Sequence, residues 1–355
     1  MVGPREILLH IGPPKTATTS IQQLLNQHGS LRSDITTEVL TQRDAVLDLV
    51  LHDEFTKSAP MRRGGWEKLV SAINRSRAEI VIVSDEKFSW LDRSAIAEVA
   101  QAFGAERTQV VFGARALHRV IPSYWQELLK VGASDSLHAW CAALIEGNAH
   151  GERSRNAGRF WRSHDLGALA ERWTSGFGQT RVTCFVVHEN DHTRTLQNAS
   201  EALGLKLLAS AKPAASSNPA LSLPQANALQ RVNEMSSRMR VPTRVRRAIT
   251  RLAVEQLTAS TVVRGARAEV PQKFRQAVQE RQRQIAEQLQ ASGIRVAGDL
   301  SALMLGPTRE FNDDPRQALI HDELRWSRLL VGVGAAAFRN RARNIKGTIK
   351  TRVEP

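Results

Sequence analysis

Thiols are nearly missing from this chain: Cys141 and Cys184 are its only cysteines in 355 residues. Their wide separation excludes a disulfide framework and any paired-cysteine metal spacing, and fits a reducing compartment. Long apolar runs are lacking too, and no stretch approaches the ~18 apolar residues of a membrane span. The run beside Arg5 and Glu6 is too short for a secretory leader or an anchor, so a cytoplasmic location is expected. The stretch LLVGVGAAAF at 329–338 is likewise too short to span, although with its basic sequel through 352 it has the composition of a peripheral contact with an anionic membrane. A packed C-terminal helix is the commoner fate of such a segment. Acidic residues fall short of basic ones, 35 against 49, for a net charge of +14. That balance suits anionic partners. The excess is concentrated in 231–283 and 338–352, and neither a base-reading helix nor an aromatic-interleaved sheet is spelled there, so no nucleic acid is expected as partner.

What the chain has is alternation. Four short, β-branched, nearly continuous apolar runs stand at Glu6–Ile11, Glu79–Ser84, Gln109–Ala114 and Arg181–Val187. Continuous rather than alternating runs suit strands buried on both faces of a parallel sheet. Helical patterns lie between them, at Thr19–Gln27, Gly65–Arg77, Ser94–Phe103, Val120–Lys130, Leu166–Thr174 and Arg194–Leu203. The fold class read from this is α/β: a P-loop-like open parallel sheet flanked by helices. A Pro/Ser/Ala-rich stretch from 207 reads as an extended loop. Added C-terminal helices follow at Leu223–Arg238, Arg244–Leu257 and Gln272–Gln290, then a strand-like piece at Ile294–Ala297. The expected organisation is an α/β domain over 1–310, with the helical addition at about 223–290, and a basic extension over 311–355. Ligands of such sheets sit off the carboxyl ends of the strands.

The first of those ends reads HIGPPKTATTSIQQLL, residues 10–25. Strand, tight loop and helix put several backbone N–H groups and the positive end of a helix dipole at one point. Pro13 and Pro14 cannot donate, so the useful donors run from Lys15 through Thr16, Ala17, Thr18 and Thr19. The threonines can add hydroxyls and Lys15 a mobile charge. The loop lacks the glycines of G-x-x-x-x-G-K-[ST], which argues against the larger nest that wraps a β,γ-diphosphate.

PPKTATTSIQQLL resembles the 5′-phosphosulfate loop, P-K-[TS]-G-T-[TS], of sulfotransferases that use 3′-phosphoadenosine 5′-phosphosulfate (PAPS). Ala17 departs from it where glycine is common, which matters only if that position needs a positive φ. VVFGARALHRVIPSYWQELLK resembles the part of those enzymes that grips the 3′-phosphate. Arg115 follows a strand and Ser123 comes eight residues later, a guanidinium fork with a hydroxyl near it. Looser likenesses lie in RWTSGFGQTRVTCFVVHEN, in SSNPALSLPQANALQRVNE and in IRVAGDLSALM.

The resemblance implies sulfuryl transfer from PAPS to a hydroxyl or amine of a carbohydrate, lipid or small-molecule acceptor. It implies no metal. Lys15 would stabilise the leaving phosphate and Glu86, in VSDEKFSW, would be the base, with Asp85 as runner-up and His118 and His164 as fallbacks. Trp90, Trp125 and Gln126 are candidates to line the acceptor site, though tryptophan is more often core. The alternative is a P-loop kinase-like NTP-dependent phosphotransferase. A literal H-E-x-x-H at His188–His192 is set aside as a zinc site, because it abuts the β-rich run Val182–Val187, Asn190 and Asp191 are turn and cap formers, and the helix is expected to begin after the match.

Overall fold

In the computed structural model the described residues are 6–31, 35–36, 42–50, 64–147, 150–205, 220–259 and 266–304. The basic extension at 311–355, the membrane-contact segment at 329–352 and most of the Pro/Ser/Ala-rich stretch lie outside them. Six strands are described: β1 (Glu6–His10), β2 (Ile35–Thr36), β3 (Ile80–Ser84), β4 (Thr108–Ala114), β5 (Val182–Val186) and β6 (Arg295–Ala297). They form one sheet in the order β2-β3-β1-β4-β5-β6, and every pairing is parallel. The first nine helices are α1 (Thr18–Leu31), α2 (Gln42–Val50), α3 (Gly65–Arg75), α4 (Arg93–Phe103), α5 (Leu117–Lys130), α6 (Leu137–Ile145), α7 (Gly151–His164), α8 (Leu166–Phe177) and α9 (His192–Leu203). Then come α10 (Leu223–Arg238), α11 (Thr243–Ala259) and α12 (Gln272–Ala291). The expected α/β parallel sheet, flanking helices and C-terminal helices are present. Among the described residues no helix is long and apolar enough to cross a membrane.

Two compact units share the chain. The first, Met1–Val120, Ala142–Ser216 and Gln272–Gly306, holds the sheet. Successive residues of β1 point to opposite faces, and Ile7 through His10 are all buried, so both faces are covered. One face carries Leu8, Ile82, Val111 and Phe185 against Ile21 and Leu25 of α1 and Ala199, Ala202 and Leu203 of α9. At roughly 1.5–3 kcal/mol per buried aliphatic or aromatic side chain, such contacts hold the layers together. From β1 the sheet grows to β3 on one side and β4 on the other, so strand order reverses beside β1. In open α/β sheets ligands sit at such a reversal, off the carboxyl ends of the strands, here those of β1 and β4.

The second unit takes Ile121–Cys141 and Ser217–Pro271 among the described residues. Buried side-chain amides tie its backbone together. Asn233 donates to the carbonyls of Leu129 and Ala133, both at 2.8 Å, and accepts from the Thr250 hydroxyl. Gln126 exchanges two hydrogen bonds with the backbone of Leu221. The buried Trp125 donates its indole N–H to the Asp135 carbonyl at 2.8 Å. Trp125 and Gln126 therefore belong to this unit's core, which corrects the expectation that they line an acceptor site.

Candidate functional site

The loop after β1 is shaped by residues that are not glycine. Lys15 has φ 67 and Ala17 φ 64, with Thr16 between them on the ordinary side. Backbone of alternating hand curls successive N–H groups toward one point, the arrangement that binds anions. The loop braces itself, because the Thr16 and Thr18 hydroxyls both donate to the Pro13 carbonyl, at 2.7 and 3.2 Å. Those two side chains are thus turned to the loop, leaving their backbone N–H groups for a ligand. The N–H groups of Thr16, Ala17 and Thr18 take no hydrogen bond among the described residues, at the positive end of the 14-residue α1. Thr19 is exposed in the first turn, and Lys15 is half-buried.

The end of β3 lies against this loop. Gly12 has φ 85, and a Cβ there would stand 2.8 Å from the Glu86 Cα, so only glycine permits the approach. Glu86 opens a 3-10 turn, Glu86–Trp90, and its carbonyl accepts from the Ser89 hydroxyl at 2.6 Å. Asp85 caps that turn through the Lys87 N–H, at 2.8 Å, and pairs with the Lys87 ammonium. Asp85 is thus a cap of that turn, with one carboxylate oxygen taking both bonds. Arg162 and Arg172 lace the turn from behind, donating to the carbonyls of Trp90 and Ser89. The guanidinium of Arg159 sits 5.8 Å from the Trp90 ring centre.

Beneath the loop, His10 is fully buried, its Nδ1 2.8 Å from the Ser84 hydroxyl. Gln22 of α1 donates to both the carbonyl and the hydroxyl of Ser84. Burial holds the His10 pKa down to about 4, so the ring is neutral.

Arg115 follows β4 directly, as expected. Its Nε and Nη2 donate to the two oxygens of Glu189 at 2.5 and 2.9 Å, and its Nη1 donates to the Lys15 carbonyl at 2.9 Å. Both side chains are shielded, with 24% and 17% of their surface exposed. Arg119 stands 4.0 Å from the same carboxylate. Burial pushes the Glu189 carboxyl up, but the Arg115 hydrogen bond and the charges of Arg115, Arg119 and His118 outweigh it and hold the group below its ordinary range.

His118 is held down to about 4 by burial and by Arg119, and the buried His164 to about 3 by burial and Arg115. Both rings are therefore neutral at neutral pH. Ser123 lies half-buried on the part of α5 that belongs to the second unit.

The His188–His192 string does not form a helix face. Asp191 caps α9 through the Arg194 N–H, as a cap-forming residue should, and the helix begins at His192, within the match rather than after it. Glu189, inside that string, is the residue that pairs with Arg115, and the sequence alone does not show that pairing, nor the bonds among His10, Ser84 and Gln22.

No family model matches the chain, and no curated protein matches it. Among solved structures, a sulfotransferase from Alicyclobacillus acidocaldarius is similar at 15% identity and a TM-score of 0.42, over 72% of this chain and 96% of that one. A likeness of that size carries no argument about chemistry, and the functional reading below stands on the residues themselves.

Proposed function

We propose that this protein is a PAPS-dependent sulfotransferase. The observation that carries the reading is the loop of alternating hand at Lys15–Ala17, with the N–H groups of Thr16, Ala17 and Thr18 at the head of α1 taking no hydrogen bond among the described residues and the Arg115 guanidinium bonded to its rim. In this reading the N–H groups of Lys15 through Thr19 hold the 5′-phosphosulfate, and Arg115 takes the 3′-phosphate. The acceptor oxygen or nitrogen attacks sulfur in line, and the bond from sulfur to the bridging oxygen breaks. Glu86 receives the acceptor's proton, and 3′-phosphoadenosine 5′-phosphate (PAP) leaves with its new charge beside Lys15. Positioning and charge stabilisation supply the rate, as in phosphoryl transfer. The residues assign no metal to any step. The acceptor is a small molecule, glycan or lipid carrying a hydroxyl or amine.

A kinase-like NTP enzyme is the second reading. Left-handed Lys15 and Ala17 favour it, since they supply a nest without glycine. Against it stands Asp85, just past the end of β3, which is committed to the Lys87 N–H and ammonium. Thermal shift with PAP, AMP and ATP separates the two. The sulfotransferase reading expects PAP to stabilise most, and stabilisation by ATP above PAP would reverse the choice. Glu86→Gln is expected to keep PAP binding while losing about a hundredfold or more in transfer, as for loss of a general base. Retained turnover would remove Glu86 from that role.

A further inference from the structure

The guanidinium that the proposed function assigns to the 3′-phosphate is already engaged on two sides. A carboxylate gripping Nε and Nη2 fixes both the position and the plane of the fork, so Nη1 is delivered to the Lys15 carbonyl rather than finding it by chance. The C=O and N–H of a trans peptide point in opposite directions. Pinning the Lys15 carbonyl at Arg115 therefore turns the Thr16 N–H away from Arg115 and into the cup of the loop. The pinned residue is also one of the two held in the left-handed region, which L residues avoid.

We infer that Glu189 is a positioning residue for the anion loop, acting through Arg115 on the backbone of Lys15, so that the segments after β1, β4 and β5 are set as one unit before ligand arrives. Without the carboxylate, the guanidinium would lie among Lys15, Arg119 and His118 with two of its three bonds gone. It would turn toward solvent and release the carbonyl. The N–H donors of Arg115 not used in these bonds remain for a second phosphate, so holding the loop and binding the ligand do not compete.

The inference rests on the nucleotide reading and makes a different demand. If Glu189 merely competed with the 3′-phosphate for Arg115, its removal would tighten PAP and leave AMP alone. A strut weakens both together, because both place a 5′-phosphate in the loop. The experiment is binding calorimetry of PAP and AMP on the full chain, wild type against Glu189→Gln, well below the melting temperature of each. Both affinities are expected to fall by about tenfold, as for a lost charge-assisted hydrogen bond, with their ratio unchanged. In turnover the loss should appear in KM for PAPS more than in kcat. An unchanged AMP affinity, whatever PAP does, overturns the inference. Should the glutamine variant fail to fold, Glu189→Asp, charged but too short to chelate the fork while reaching it, is expected to give the same parallel loss. The nucleotide reading fails separately, if wild type binds PAP no better than AMP. A parallel loss on Glu189→Gln would then still support the strut.

Discussion

Strands β1 and β4 are neighbours, each runs into a helix at its carboxyl end, and the two junctions are finished in opposite ways. After β4 the chain needs only Arg115 and Ala116 before α5 begins. The N–H of Leu117 at that helix's head is plugged by the Gln282 side chain, at 2.7 Å and out of contact with water. After β1 the chain spends seven residues, three of them with positive φ (Gly12, Lys15 and Ala17), and leaves the N–H groups of Thr16, Ala17 and Thr18 without a partner among the described residues. A protein that can plug one helix end with a glutamine has no structural need to leave the adjacent one open. The second junction is closed for stability. The first is strained and open, the pattern of a site that awaits an anion.

Breaking the open junction should cost activity and not fold. Lys15→Ala is expected to lower kcat by about a hundred- to a thousandfold, the scale of removing a group that stabilises developing charge. The melting temperature should barely change. Steady-state assay beside a thermal melt checks both halves, and a large loss of stability would make Lys15 a structural residue.

Acid should strain both junctions together. Burial keeps His10 and His118, one at each junction, neutral in the fold down to about pH 4, whereas unfolded each protonates from its ordinary 6.5. In that window the unfolded chain binds more protons, so stability is complete above about pH 6.5 and falls as pH drops toward 4. For the fully buried His10 the slope reaches about 1.4 kcal/mol per pH unit. Urea unfolding at pH 7, 6 and 5 reads it, and a flat profile would mean these rings protonate inside the fold.

The closed junction should respond in reverse to the open one. Gln282→Ala leaves a buried N–H without an acceptor and is expected to destabilise by about 1–3 kcal/mol. Nucleotide affinity should not change. The smallest effect is Ala17→Gly. The left-handed conformation costs an alanine roughly 1 kcal/mol or more, and part of that gain is returned through the freer unfolded chain and the lost packing of a methyl. A net stabilisation of about 0.5 kcal/mol is expected, read by chemical denaturation.

The same contrast explains what could be read without a structure. Continuous β-branched runs gave away β1, β3, β4 and β5, because burial on both faces leaves no room for polar residues. The two-residue β2 has too little pattern to see. The α6 segment LHAWCAALI is apolar on all sides and so shows no helical period, while α7 begins GERSRN, nearly all polar. The strand–loop–helix junction after β1, with Lys15 and its small neighbours, was legible, but its left-handed Ala17 was not, since alanine ordinarily avoids that region. Arg115 was visible by its place after a strand. Its partner was not, because Glu189 sits 74 residues away inside a string that imitates a metal motif. Trp125 and Gln126 misled for the ordinary reason that large amphipathic side chains fill cores as readily as pockets.

The central claim is that the loop after β1 is the anion cradle. Titrating PAP into amide-labelled protein and following the backbone N–H resonances tests it most directly. The account predicts that Thr16, Ala17 and Thr18 move first and furthest, while Leu117, plugged by Gln282, stays nearly still. If PAP binds and those three amides do not move, the cradle lies elsewhere.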